Sequence, residues 1–159
     1  EDGIRDSVAS RGLGDVYKRQ NIVTGVLAYT DNDELILCKR SIEPRHGYWT
    51  LPAGFLENQE SIEEGALRET EEEAKLRVSD VKLFTILSVP HIDQIYTFFT
   101  GKVVNYDFGP TPESSEVKLF KYDDIPWEEL AFPTVIKTIK LFLERGDDKI
   151  INEVLRPKI

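Results

Sequence analysis

The 159-residue sequence contains no methionine and only one cysteine. A lone Cys38 excludes any disulfide within the chain, which fits a reducing compartment, so a cytoplasmic location is the expectation. Cys38 lies in the apolar run LILC, where a free cysteine behaves as a small core residue rather than as a nucleophile. No apolar run approaches the roughly 20 residues that span a bilayer. Positive charge is also scarce, with 20 Lys and Arg against 29 Asp and Glu, for a net charge of -9. Such an acidic surface argues against general binding to nucleic acid or to anionic membrane. A phosphate-bearing ligand would need a local cation to offset the repulsion. What is present is enough apolar material for one packed domain, at 40% hydrophobic and 10% aromatic residues.

The stretch EDGIRDSVASRGLGDVYKRQ differs from the rest of the chain. It has no sustained helical or strand period, and its four acidic residues balance its four basic ones. It resembles a translated cloning or sequencing adapter. Residues 1–20 are therefore expected to be a non-native or disordered extension, 21–146 the domain, and 147–159 a C-terminal tail.

From residue 21 the sequence alternates between strand and turn signals. NIVTGVLAYT (21–30) and ELILCKR (34–40) read as paired strands around the turn DND. WTLPAGF (49–55) reads as a short strand running into a Pro and Gly turn. VSDVKLFTILSVP (78–90), QIYTFFTGKVVNY (94–106) and EVKLFKY (116–122) read as further strands. Ser61 to about Leu76 reads as a helix, opened by the S-x-x-E spacing of Ser61 and Glu64. PTVIKTIKLFLERG (133–146) reads as an amphipathic helix closed by Gly146. Strands on both sides of a central helix, with a second helix at the end, imply an α/β (α+β) layered domain with a mixed sheet.

The central helix carries RETEEEA, residues 68–74. Glu69, Glu72 and Glu73 are related by i, i+3 and i+4 and share one face. Ala66, Leu67, Thr70 and Ala74 form a neighbouring face expected to pack on the sheet, while Glu64 and Glu71 point away from it. Carboxylates crowded beside a core raise one another's pKa unless a cation is present, and Arg68 offsets only part of the charge. Hard oxygen ligands of this kind suit Mg²⁺ or Mn²⁺. From the helix alone, a solvated run of charge explains the pattern equally well.

The preceding loop adds a longer spacing. GFLENQESIEEGALRETEEEAKL (54–76) resembles the Nudix box, G-x5-E-x7-R-E-U-x-E-E-x-G-U, in which U is bulky and apolar. Gly54, Glu60, Arg68, Glu69, Glu72, Glu73 and Leu76 match. Thr70 replaces an apolar residue, and Lys75 replaces the glycine suited to a left-handed helix end. CKRSIEPRHGYWTLPAGFLE, SVPHIDQIYTFF and GPTPESSEVKLFKYDDIPWEELAF extend the resemblance across 21–145. They resemble the branch containing bacterial ADP-ribose and FAD pyrophosphatases and the plant chloroplast FAD pyrophosphatase.

The resemblance implies a Nudix fold, a mixed sheet sandwiched between helices. It implies Mg²⁺-dependent hydrolysis of a nucleoside diphosphate derivative, FAD or ADP-ribose, with a MutT-like triphosphate hydrolase or an inactive nucleotide sensor as alternatives. Residue by residue, Glu69, Glu72, Glu73 and the backbone carbonyl of Ala53 would hold metal, and Arg68 would orient the carboxylates. Glu60 would bind metal through water or hold the loop. Glu72 or Glu116 would take the proton from the attacking water, although Glu116 fits a strand-edge surface acid equally well. Arg40 and Arg45 would contact phosphate or ribose, with plain surface exposure equally open. Trp49 is a candidate stacking surface, as are Tyr48, Tyr96, Phe98 and Phe99, although core packing is the commoner role for each. Glu57 is a loop acid beside the substrate, and Pro90 lies near where ADP-ribose-cleaving relatives carry a proline. Similar enzymes are often homodimers, and a homodimer is the expectation the resemblance carries.

Overall fold

A computed structural model describes residues 21–157, and the adapter-like residues 1–20 lie outside it. The strands are β1 (Asn21–Tyr29), β2 (Glu34–Arg40), β3 (Trp49–Thr50), β4 (Ala53–Phe55), β5 (Val78–Val89), β6 (Gln94–Val103), β7 (Ser114–Lys121) and β8 (Ile151–Val154). The helices are α1 (Ile62–Ala74) and α2 (Pro133–Arg145). The strands form one mixed sheet ordered β3-β2-β1-β6-β5-β8, with β4 on β1 and β7 on β2. β1 runs parallel to β6, β5 parallel to β8, and the remaining pairs are antiparallel.

The central strands are apolar on both faces because both faces are covered. Val26, Ala28, Ile36, Cys38 and Phe99 pack with Ala66 and Ala74 of α1. Their immediate neighbours Leu27, Leu35, Leu37 and Phe98 pack with Val135 and Ile139 of α2. This alternation produces a sheet sandwiched between helices, the fold the sequence resemblance implied.

Two segments differ from the sequence reading. WTLPAGF is two strands, since Pro52 has no amide hydrogen for a ladder; Trp49–Thr50 pairs with β2 and Ala53–Phe55 with β1. The segment read as a tail supplies β8, which pairs with Thr85–Ser88 of β5. Four residues set among charged ones carry too weak a period to be seen from sequence.

The end of α1 answers how a helix closes with lysine in the glycine position. Lys75 takes the left-handed conformation itself, at φ 56° and ψ 37°. The Asn105 side chain secures the bend: its Nδ2 donates to the Lys75 carbonyl at 3.0 Å, and its Oδ1 accepts from the Arg77 amide at 2.7 Å. Left-handed backbone disfavours any residue with a Cβ. Lys75→Gly is therefore expected to stabilise the domain by roughly 0.5–1 kcal/mol. A thermal midpoint that stays level or falls would count against that strain.

Candidate metal centre and substrate cavity

α1 begins with a complete capping box. The Ser61 hydroxyl accepts from the Glu64 amide at 3.0 Å, and Glu64 accepts from the Ser61 amide at 2.8 Å. From this start the helix turns about 100° per residue. Measured from buried Ala66, Glu73 lies about 20° away, Glu69 about 60° and Glu72 about 120°. The two residues nearest Ala66 in angle are the less exposed ones, and Glu72, farthest round, is the most exposed. Glu69 is 8% exposed, Glu73 is half-buried, and the Glu72 side chain is 52% exposed. Leu67, about 100° away on the other flank, is exposed and does not join the sheet-facing side.

Glu69 and Glu73 are joined by Glu113, with one carboxylate oxygen of each within 4.8 Å of the others. Glu113 comes from the loop before β7, which is fastened on two sides. The Gly109 amide donates to the Ala74 carbonyl at 3.0 Å and the Thr111 hydroxyl to the Glu73 carbonyl at 3.1 Å. The Ser41 amide donates to the Glu113 carbonyl at 3.1 Å. Burial, and then repulsion from Glu69, pushes the Glu73 carboxyl up to about 9, against the Ala53 amide, which donates to it at 3.2 Å. Burial also raises Glu69, opposed by Arg68. Carboxyls raised by burial and by one another attract a counter-charge, and three hard oxygen donors fit a divalent cation such as Mg²⁺.

Arg68 ties the box together. It donates to Glu69 at 2.9 Å, to Glu72 at 3.2 Å, to the Phe55 carbonyl at 3.2 Å, and to both oxygens of Glu60. Glu57 lies 3.5 Å from the same guanidinium. Hydrogen bonding to Arg68 holds Glu60 below the usual carboxylate range. Gly54 lies beneath this cluster, where any Cβ would collide with the Glu69 carboxylate. Gly54→Ala is expected to displace Glu69 and lower turnover by about 100-fold, since small misplacements of reacting groups cost that much. Near-normal activity in a steady-state assay of that variant would contradict the role of Gly54.

A cavity of about 320 Å³ adjoins the cluster, sharing Ala53 and Gly54 with it. Arg40, Ile92, Gln94, Tyr96 and Phe132 form other parts of its wall. Arg40 belongs there as expected, with its guanidinium 5.1 Å from the Phe132 ring.

Four other expected residues stand elsewhere. Glu116 faces Lys39 at 4.0 Å and its Cα pairs with Lys39, whereas the adjacent Val117–Cys38 pair packs under α1. The period-two pleat therefore puts Glu116 on the opposite face from the acidic cluster. Trp49 is 5% exposed and packs edge-on against Phe120, so it is core and not a stacking surface. Arg45 lies 4.0 Å over the Tyr48 ring and donates to the Ala131 carbonyl, outside the cavity wall. Pro90 opens a 3₁₀ turn, and it is the following Ile92 and Gln94 that reach the cavity. Sequence reasoning missed Glu113, Gln94, Phe55 and Phe132. Only Phe55 had a signal, its place directly after Gly54.

No helix among the described residues is long and apolar enough to cross a membrane. A family model described as NUDIX domain matches residues 19–142. The uncharacterized Nudix hydrolase YvcI of Bacillus subtilis is 32% identical over 106 residues, 64% of this chain and 65% of that protein. The NAD-capped RNA hydrolase NudC of Salmonella heidelberg is 31% identical over 98 residues, 59% of this chain. The chain spans 37% of the length of the NudC relatives it matches. Among solved structures, a NUDIX hydrolase from Nitrosomonas europaea is 39% identical with a TM-score of 0.81, covering 89% of this chain and 81% of that one. The NUDIX domain of Shewanella oneidensis NrtR, solved with ADP ribose, shares the fold at 21% identity and a TM-score of 0.74, covering 91% of this chain and 99% of that one.

Proposed function

The chain belongs to the Nudix family, and from that premise we propose that it is a Mg²⁺-dependent pyrophosphatase that cleaves FAD or ADP-ribose. The observation that carries the reading is the convergence of Glu69, Glu73 and Glu113 beside a cavity that shares Ala53 and Gly54 with them. Glu69, Glu73 and Glu113 would hold the metal, with the Ala53 backbone beside them. A divalent cation bound there would neutralise pyrophosphate charge and acidify a water.

The chain's own groups do the rest. Arg68 fixes Glu69 and Glu72 in place. Glu72, the exposed one among Glu69, Glu72 and Glu73, is open to take a proton from the attacking water. Arg40 offers a fixed cation on the cavity wall to ribose or phosphate. The apolar and aromatic wall suits a base or a flavin, and the net charge of -9 favours a free dinucleotide over an RNA-borne one. The expected assembly is a homodimer.

A hydrolysis panel of FAD, ADP-ribose, NADH and dNTPs with Mg²⁺ tests the reading. Cleavage of FAD or ADP-ribose to two monophosphates is the expected result. Preference for dNTPs with release of pyrophosphate would replace it with a MutT-like activity, and no turnover of any member would refute it.

A further inference from the structure

We infer that Gln94 reads the base of the substrate: the cavity holds an adenine-type ring, whose exocyclic amino group donates to the Gln94 amide oxygen. This rests on the nucleotide reading above and adds the residue that chooses the base.

Gln94 is the first residue of β6, paired with Asn21 on one side and Val89 on the other. Side chains alternate along a strand, so Gln94, Tyr96 and Phe98 share one face, and all three line the cavity. Phe98 is fully buried, Tyr96 is half-buried, and Ile92 and Phe132 add further apolar wall. Within this setting the Gln94 Oε1 is buried and has no hydrogen-bond partner among the described residues. Buried acceptors in folded proteins nearly always have a donor, and an orphan disfavours the state that holds it. Once the Gln94 amide turns toward the cavity, a ligand that brings a donor to it removes the penalty.

Several features favour a base over the ribose or the phosphates. The wall is aromatic and aliphatic, and its unpaired polar atom is an acceptor, which repels phosphate oxygens. The metal cluster lies beyond Ala53 and Gly54, where the pyrophosphate belongs. Arg40 is the cation of the wall. A glutamine amide places an acceptor beside a donor, matching the amino group and adjacent ring nitrogen of adenine. The terminal amide torsion is soft, so both groups can turn to meet that edge. Adenine is also the part that FAD and ADP-ribose have in common.

The test compares AMP with its 6-deamino analogue, purine riboside 5′-monophosphate, by calorimetry without metal, on the wild type and on Gln94→Met. AMP is expected to bind the wild type roughly tenfold tighter than the analogue, and the two are expected to bind Gln94→Met alike. In steady state the variant should raise KM roughly tenfold with kcat within about twofold. Equal binding of both ligands to the wild type, no binding of AMP, or a difference that survives in Gln94→Met would each overturn the inference. The wild-type comparison decides even where the variant does not fold. Discrimination without hydrolysis would sink the catalytic reading alone, while hydrolysis without discrimination would sink this one alone.

Discussion

Replacing Glu73 by glutamine is expected to lower turnover by roughly 1000-fold or more and to leave the domain folded. The metal's contribution to such a reaction is several kcal/mol, and each 1.36 kcal/mol is tenfold in rate. Glutamine keeps the shape of the side chain and an oxygen to accept from the Ala53 amide, but it carries no charge for a cation. Folding should survive because burial already favours the neutral form of Glu73.

The same substitution has a signed pH dependence. The Glu73 carboxyl holds its proton up to about 9 in the folded chain, against an ordinary value of 4.5. The folded state therefore binds more protons than the unfolded one, and stability falls as pH rises between those values. In metal-free buffer, Glu73→Gln should melt near the wild type at about pH 4.5 and progressively above it toward about pH 9. Parallel melting curves for the two proteins across that range would remove the strain assigned to Glu73. Wild-type turnover in Glu73→Gln would remove the metal assignment.

The sheet, both helices and the acidic cluster were legible from sequence because each rests on a short-range rule. LILC and TGVLAY are continuous apolar runs, which follow from a sheet covered on both faces. Ser61 and Glu64 announce the start of α1, and the spacing of Glu69 and Glu73 fixes them on one side of it. The ranking within the cluster needed the angle of each residue to the sheet, which places Glu72 at the rim. Glu113 was not legible because a loop has no period, and its position depends on bonds to Ala74, Glu73 and Ser41 in distant segments. Glu116, three residues on, was the residue expected from that region, and its strand register puts it across the sheet. Trp49 failed as a ligand surface for a related reason: its burial depends on Phe120, 71 positions away in sequence (120 minus 49). Gln94 gave no signal, since an unpaired amide is defined by what surrounds it.

Arg68→Ala is the second large effect, and it should damage activity and stability together. The guanidinium bonds Glu60, Glu69, Glu72 and the Phe55 carbonyl at once, with its side chain 20% exposed. Its removal leaves Glu69 without its cation, and takes away the guanidinium that ties Phe55 and Glu60 of the loop to α1. Groups that orient metal ligands typically matter by 10–100-fold, so a loss of about 100-fold in turnover is expected. The thermal midpoint should fall by on the order of 5 °C in metal-free buffer. Lysine should rescue little, because a single ammonium cannot span three carboxylates and a carbonyl in one plane. Added divalent cation should recover part of the lost stability by supplying the missing positive charge beside Glu69 and Glu73. An Arg68→Lys protein with wild-type kinetics, or an Arg68→Ala protein whose stability ignores metal, would show that Arg68 is a surface charge and not the frame of the site.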